Sequence, residues 1–585
     1  MKYPTFTAPD SSRDMVDLFK GYNHNLRIGD GEFFDMKNMT SEYYPVLSPR
    51  GKRGKYAEVE NPQGLIAKDS LCYVDGTDFV INEYRVPMGL STEAEDCPKQ
   101  LISMGAYVII LPDKKWINTM DITQYGNIEA AFTTNSDVTF QLCDIDGGGY
   151  ADTVVSATEP EYPENMDYWI DTSSTPHTLK QYAASSAMWV SIATTYVKIS
   201  SPGIGAAFQQ YDGVTITGIV NEQMLDLNGA RIIWGRDDDY IVVVGICDSV
   251  TSQTVSEGAI TITREMPKMD YIIESENRLW GCRYGEANNG QIVNQLYASK
   301  LGDFKNWNCF MGLSTDSYAA SVGTDGQFTG AITHLGYPLF FKENCVHKVY
   351  GNYPANFQIQ TTACRGVQNG CGKSLVIVNE TLYYKARSSV CAYDGSLPME
   401  ISRALGDAVY SDAVAGAHRN KYYISMKDRD GAYHLFVYDI YKGMWHREDE
   451  LQAVAFCTCR GELYCIEQGK KQITTMLGSG EQSKEPVQWM AETGIIGTSS
   501  PDQKYISRLT VRMSLALGTR VRFFAQYNSM GGWEPLGTMS GTTLRSFSVP
   551  IRPRRCDHLR LRIEGVGEAR IYSITKTIEQ GSELA

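Results

Sequence analysis

The sequence predicts an all-β chain: a β-propeller of about seven blades, with an inserted β-rich domain and a C-terminal β-sandwich. Three observations predict it. A short apolar-aromatic strand followed by a polar turn recurs along the chain. The recurrence runs at about 40 residues in its later copies, the length of a four-stranded blade. The last 80 residues alternate apolar and polar at period two. Composition agrees, with 36 Tyr and 53 Gly in 585 residues, as many strands joined by glycine turns require.

The copies begin at Leu71 (LCYVDGT), Ala106 (AYVIILP), Arg278 (RLWGCR), Pro338 (PLFFKEN), Thr381 (TLYYKAR), Lys421 (KYYISMK) and Glu462 (ELYCIEQ). Anchored on Leu71, Tyr107, Leu279, Leu339, Leu382, Tyr422 and Leu463, they are 36, 172, 60, 43, 40 and 41 residues apart. The 172-residue gap closes to 29 when the 143 residues of segment 123–265 are set aside as an insertion. A second strand follows several anchors, as in VHKVYGN from Val346, VCAYDGS from Val390 and HLFVYDIYKGMW from His434, so each pair reads as a hairpin within a blade. One blade cannot bury both faces alone; stacked blades share a core. Unrelated β-sandwiches with coincident spacing are the competing reading.

The domain expectation is therefore 1–55 as an N-terminal arm or closing segment, 56–122 with 266–480 as propeller, 123–265 as insertion, and 485–585 as sandwich. Within the insertion, Tyr168–Asp171, Thr178–Tyr182 and Trp189–Ile199 read as a meander across which Trp169 and Trp189 pack. Excising 125–263 is expected to leave the propeller folded. In the sandwich, Leu509, Val511, Met513 and Leu515 alternate with Arg508 and Arg512, and Leu559, Leu561 and Ile563 with Arg560 and Arg562. With Arg552, Arg554 and Arg555 they form an arginine-rich surface suited to protein docking or to DNA phosphates. These seven arginines, with Trp169 and Trp189, are the candidate interface residues.

Charge is segregated. Segment 123–265 has 19 acidic and 5 basic residues, net −14, whereas 504–585 has 13 basic and 6 acidic, net +7. Different segments are expected to face different neighbours.

Chemistry is harder to find. The eight histidines form no HExxH pair, and there is no G-x-S-x-G elbow, P-loop or dinucleotide fingerprint. Asp144-Ile-Asp146-Gly-Gly-Gly lacks the ligand set of a calcium loop and reads as a turn. The 14 cysteines lack zinc spacing and read as buried reduced thiols. Sialidase-type Ser-x-Asp-x-Gly-x-x-Trp repeats are absent, and Trp280, Trp307 and Trp445 read as blade packing. The expectation is no enzyme, no catalytic or metal residue and no cofactor. No apolar run is long enough for a membrane span and no leader is visible, so no membrane insertion is expected.

The opening segment, Leu26-Arg-Ile-Gly-Asp-Gly-Glu-Phe-Phe-Asp-Met-Lys-Asn-Met-Thr and Tyr43-Tyr-Pro-Val-Leu-Ser-Pro-Arg50, is distinctive. With Asn277-Arg-Leu-Trp-Gly, Gly302-Asp-Phe-Lys-Asn-Trp307 and Phe340-Phe-Lys-Glu-Asn-Cys-Val-His-Lys-Val-Tyr350, it is similar to the packaged-DNA stabilisation, or tail-nozzle, proteins of tailed bacteriophages. The resemblance covers most of 20–450. It implies a structural virion protein of the tail or neck, assembled in the host cytoplasm as a homohexameric ring below the head-to-tail adaptor. Such a ring lines the DNA exit channel and helps retain packaged DNA, which passes without sequence recognition. The implied partners are further copies of itself, the adaptor, and distal tail, needle or fibre proteins. An acidic lumen would repel phosphates and let DNA slide. Two other readings stay open: a receptor-binding adhesin recognising host glycans through the tryptophan-bearing insertion, and a tail-associated glycan hydrolase.

Overall fold

The computed structural model describes residues 11–287, 290–497 and 503–580. It is all-β: a propeller whose seven four-stranded antiparallel blades occupy residues 62–87, 100–127, 271–321, 330–363, 376–400, 411–447 and 453–475, the last completed by Gly54–Glu58.

Each of the seven anchors falls in the second strand of its blade, from Leu71–Asp75 to Glu462–Glu467. That strand has a hydrogen-bonded neighbour on both edges, and it is the most buried. All residues of Leu71–Asp75 and of Glu462–Glu467 are buried. Sustained burial needs a continuous apolar run, which is why this strand is the visible one. The hairpins beginning at Leu339, Leu382 and Tyr422 pair with Cys345–Tyr350, Val390–Tyr393 and Tyr433–Asp439.

The chain divides into two compact units. One comprises residues up to Leu101, Phe328–Lys348 and the chain from Thr361 onward; the other comprises Ile102–Gln327 and Val349–Gln360. In the first unit, consecutive blades pack face to face. Leu339, Tyr384 and Ile424 of blades four, five and six share one core. Tyr423 and Leu435 of blade six meet Leu463 and Cys465 of blade seven. Cys459 and Tyr464 of blade seven meet Leu71 and Tyr73 of blade one. Gly54–Glu58 closes blade seven by pairing with Gln472–Thr475, so the closing strand comes from the N-terminal side of the chain. In the second unit, Ile109 of blade two and Leu279 of blade three pack with Phe304 and Trp307.

The insertion joins that unit through paired ends, Ala130–Thr133 against Thr261–Arg264. Its start needs correcting from 123, because Tyr125–Asn127 is the fourth strand of blade two. Three residues with a central glycine carry too little pattern to be read as a strand. The excision 125–263 would therefore remove part of a blade. It would also strip Asp212 from Arg264, a buried ion pair whose carboxylate further accepts from Asn306 Nδ2 at 2.9 Å. The reading of Trp189–Ile199 as one strand is corrected too. Met188–Ser191 ends the small sheet, and Tyr196–Ser200 belongs to a separate five-stranded sheet.

The C-terminal sandwich has two sheets. One contains Ser11–Val16, Ala569–Gln580, Lys504–Leu515 and Arg545–Val549. The other contains Gln488–Thr493, Leu559–Val566, Arg520–Tyr527 and Glu534–Ser540. Leu559–Val566 alternates between buried and half-buried positions over its whole length, as its period-two pattern requires. The second sheet does not stop at Gln488–Thr493. It continues through Glu32–Lys37 and Gly21–Tyr22 to Met444–Arg447 of blade six, ten strands in all. The N-terminal arm thus welds sandwich to propeller through main-chain hydrogen bonds. Gly21 sits at φ +86°, and a Cβ there would lie 2.4 Å from the Trp445 carbonyl oxygen, so the close approach needs glycine.

Candidate functional site

Three places carry the chemistry: the wall formed by the first strands of blades five to seven, the arginine-bearing sandwich, and the aromatic face of the insertion.

First strands of consecutive blades lie side by side, Val376–Val378 by Ser411–His418 and the latter by Ala453–Cys459. They form the inner edge of the propeller. The cavity against them is about 590 Å³. It is lined by Ile377, Val414, Ala415 and Phe456, with Lys373 and Arg419 as its charged residues. None of its lining residues is Asp or Glu. The acidic excess of the sequence lies in segment 123–265.

The seven candidate arginines divide into two groups. Arg508, Arg512, Arg552, Arg554 and Arg555 are exposed. Arg512 Nε lies 3.4 Å from Ser546 Oγ. Arg554 donates to Glu534 at 2.7 Å and stacks over Tyr527. Arg552, Arg554 and Arg555 lie close in sequence on the irregular segment between Arg545–Val549 and Leu559–Val566. Arg560 and Arg562 are different. They clamp the 6%-exposed Glu492 side chain at 3.0 and 2.8 Å, and their guanidiniums cover Phe34 and Trp533. Period two placed them on an outward face. The pairing of Gln488–Thr493 beside Leu559–Val566 supplies the carboxylate that neutralises them, and no local pattern could have shown it.

Trp169 and Trp189 do pack together, ring centroids 5.4 Å apart and edge to face, with Tyr182 5.3 Å from Trp189. Lys180 lies over the Trp169 ring and pairs with Asp171 at 2.8 Å. Hydrogen bonds from Lys180 and from the side chain and backbone of Ser173 hold the Asp171 carboxyl down at about 2. The Asp144 turn uses its carboxylate on the Asp146 and Gly148 N–H groups at 3.0 and 2.7 Å. The 14 cysteines are free thiols. Among the described residues, no group of three or more His, Cys, Asp or Glu could hold a metal ion.

A cluster that the sequence reading missed anchors the closing segment. Arg53 bridges Glu448 and Asp449, both at 2.8 Å, and Arg50 reaches Asp449 at 3.2 Å. Burial alone would raise the Asp449 carboxyl, but the two guanidiniums outweigh it and hold it low. Its sequence signal was Arg50-Gly-Lys-Arg53 opposite Glu448-Asp-Glu450, two charge runs nearly 400 residues apart.

No protein-family model matches the chain, and no curated protein matches it. Solved structures do show similarity. Exo-β-1,3-galactanase from Phanerochaete chrysosporium is 9% identical, with 52% of this chain and 95% of that chain covered and a TM-score of 0.21. A glycoside hydrolase family 43 arabinoxylan arabinofuranohydrolase from Bacillus subtilis is 8% identical, with 54% and 96% covered and a TM-score of 0.19. Raptor from Chaetomium thermophilum is 10% identical, with 54% and 27% covered and a TM-score of 0.25. At these values neither residue roles nor substrates transfer. The expectation that the chain is not an enzyme is nonetheless corrected, because the similar solved structures include glycoside hydrolases.

Proposed function

We propose that this chain is a structural virion protein of a tailed phage, a subunit of a nozzle ring below the head-to-tail adaptor that lines the DNA exit channel and helps retain packaged DNA. One observation carries the reading. The N-terminal stretch around the resemblance-bearing residues 26–50 is the structural weld of propeller and sandwich. Gly21–Tyr22 and Glu32–Lys37 tie blade six to the sandwich in one ten-stranded sheet, and Gly54–Glu58 closes blade seven. Main-chain bonding across module boundaries resists shear, which a wall under internal DNA pressure needs. The exposed Arg552, Arg554 and Arg555 suit a subunit or adaptor contact.

The test is electron microscopy of the purified protein and of labelled virions. Six-membered rings and label at the neck are expected. Reversing Arg552, Arg554 and Arg555 to Glu should weaken ring or adaptor assembly. A monomer that binds cells and never labels the neck overturns the reading.

A second reading is glycan recognition, by an adhesin or a glycan hydrolase. The Trp169–Trp189–Tyr182 cluster beside the Lys180–Asp171 pair favours it. Glycan-array binding lost in Trp189→Ala, or release of reducing sugar from host polysaccharide, would move the assignment there.

A further inference from the structure

In the sandwich, the chain leaves Arg520–Tyr527 through a tight turn before Glu534–Ser540. The Met530 N–H closes the turn onto the Tyr527 carbonyl at 3.1 Å, and the central residues Asn528 and Ser529 sit at φ 53° and 51°. This is the mirror-image hairpin turn that asparagine and glycine fill most easily. Asn528 suits it. Ser529 carries a Cβ into the left-handed region and is the costlier choice for a turn alone.

The turn is tied to the start of Leu559–Val566. The Asn528 N–H donates to the His558 carbonyl at 2.9 Å, and Asn528 Oδ1 accepts from the Asp557 and His558 N–H groups at 2.8 and 3.4 Å. These bonds bring three side chains into one chain of hydrogen bonds. The Ser529 hydroxyl donates to His558 Nε2 at 2.8 Å, and His558 Nδ1–H donates to Asp557 Oδ2 at 2.8 Å. The hydrogen bond from His558, aided by Lys504, outweighs burial and holds the Asp557 carboxyl below its usual range. A carboxylate on Nδ1 selects the tautomer whose Nε2 keeps a lone pair, the form that takes a hydroxyl proton. His434 is the contrast. It pairs with Asp428 at 2.7 Å, but its other ring nitrogen is buried without a partner. Ser529 is exposed and the His558 side chain is 21% exposed, so a solute reaches both.

A hydroxyl, an imidazole and an orienting carboxylate at these distances are the machinery of nucleophilic acyl transfer. We propose that Ser529 and His558, positioned by Asp557, form a hydrolytic site for carboxylic esters with a short acyl group. Ser529 Oγ bonds to the acyl carbon as its proton passes to His558 Nε2. The bond from that carbon to the alcohol oxygen then breaks, and His558 returns the proton to the leaving oxygen. Water, deprotonated by the same nitrogen, attacks the acyl-serine. The serine C–O bond breaks, Ser529 recovers the proton and the acid departs. Asp557 is a positioning residue. The Gly531 and Gly532 N–H groups, which have no hydrogen-bond partner among the described residues, follow the nucleophile in the chain and are the donors at hand for the oxyanion. A Cβ on either glycine would meet nothing within 4 Å. No wall is there to hold a long acyl chain, which is why the acyl group is short. The Asp557 side chain keeps 50% exposure, so water screens its pull on the imidazole and turnover is modest. The chemistry needs one chain and does not rest on ring assembly.

The experiment treats the full-length protein with a fluorophosphonate, which reacts with an activated serine, and reads the tryptic peptide 523–545 by mass spectrometry. Hydrolysis of p-nitrophenyl acetate is followed in parallel. Wild type should carry the adduct on Ser529 and hydrolyse the ester. Ser529→Gly removes the hydroxyl and relieves the positive φ, so the turn is kept while hydrolysis falls roughly tenfold or more. Asp557→Asn should slow labelling and lower kcat roughly tenfold or more at unchanged KM, a split that loss of structure alone would not give. An unmodified Ser529 in wild type overturns the proposal. So does equal hydrolysis by wild type and Ser529→Gly, which would assign the turnover to the imidazole alone.

Discussion

Replacing Glu492 with Gln tests whether the arginines of the sandwich are structural or free for docking. The Glu492 side chain is 6% exposed and accepts from Arg560 Nη2 at 3.0 Å and from Arg562 Nε and Nη2 at 3.1 and 2.8 Å. At an effective dielectric near 20, each close pair is worth about 4 kcal/mol of Coulomb attraction. Desolvating the carboxylate offsets several kcal/mol of that. Breaking a buried pair typically costs about 3–5 kcal/mol. Here the arginine side chains keep 17% and 28% exposure, so water recovers part of the loss, and a net cost of roughly 2–3 kcal/mol is expected for Glu492→Gln. The chain has several modules, so a global melting curve does not isolate this cost. Native-state hydrogen exchange does. Amides of Gln488–Thr493 and Leu559–Val566 should open about 30- to 150-fold more often, at 1.4 kcal/mol per tenfold. The control is Glu534→Gln, which breaks a pair with the 61%-exposed Arg554 side chain and should cost under about 0.5 kcal/mol. Equal effects of the two substitutions would refute the claim that Arg560 and Arg562 are spent on holding Leu559–Val566 to Gln488–Thr493 within the sandwich.

Two further outcomes are expected. Burial pushes the His446 imidazole down to about 3, with Lys421 and Lys442 adding to the shift. The unfolded chain therefore takes up this proton first, near pH 6.5. The contribution is complete above that pH and is lost as pH falls toward 3, at about 1.4 kcal/mol per pH unit. His446→Gln should flatten the pH dependence of the opening free energy of the Met444–Arg447 amides between pH 6 and 4 by that amount, read by native-state hydrogen exchange; an unchanged slope rules it out. At Gly54 a Cβ would lie 2.0 Å from the Ser479 carbonyl oxygen, so Gly54→Val should expel the closing strand at a cost of about 3 kcal/mol. Trypsin should then cut after Lys52 or Arg53, whereas Gly51→Ala, with nothing within 4 Å of its Cβ, should stay resistant.

The sequence by itself determined what burial dictates locally. Second strands of blades lie between two neighbours and are buried on both faces, so Leu382, Tyr422 and Leu463 stood out at blade spacing. Sandwich strands have one wet face, so Leu559, Leu561 and Ile563 alternated with arginines. Neither pattern names a partner. Pairing of Tyr22 with Trp445, and of Gly54–Glu58 with Gln472–Thr475, joins residues some 400 positions apart through strands of two and five residues, too short to show a period. Neutralisation of Arg560 and Arg562 by Glu492, the apolar wall with Lys373 and Arg419, and the meeting of Ser529 with Asp557 and His558 were likewise settled by which strands became neighbours. Local pattern records how deeply a residue is buried; only the folded chain decides against what, because that choice is made through space and leaves no spacing rule along the backbone.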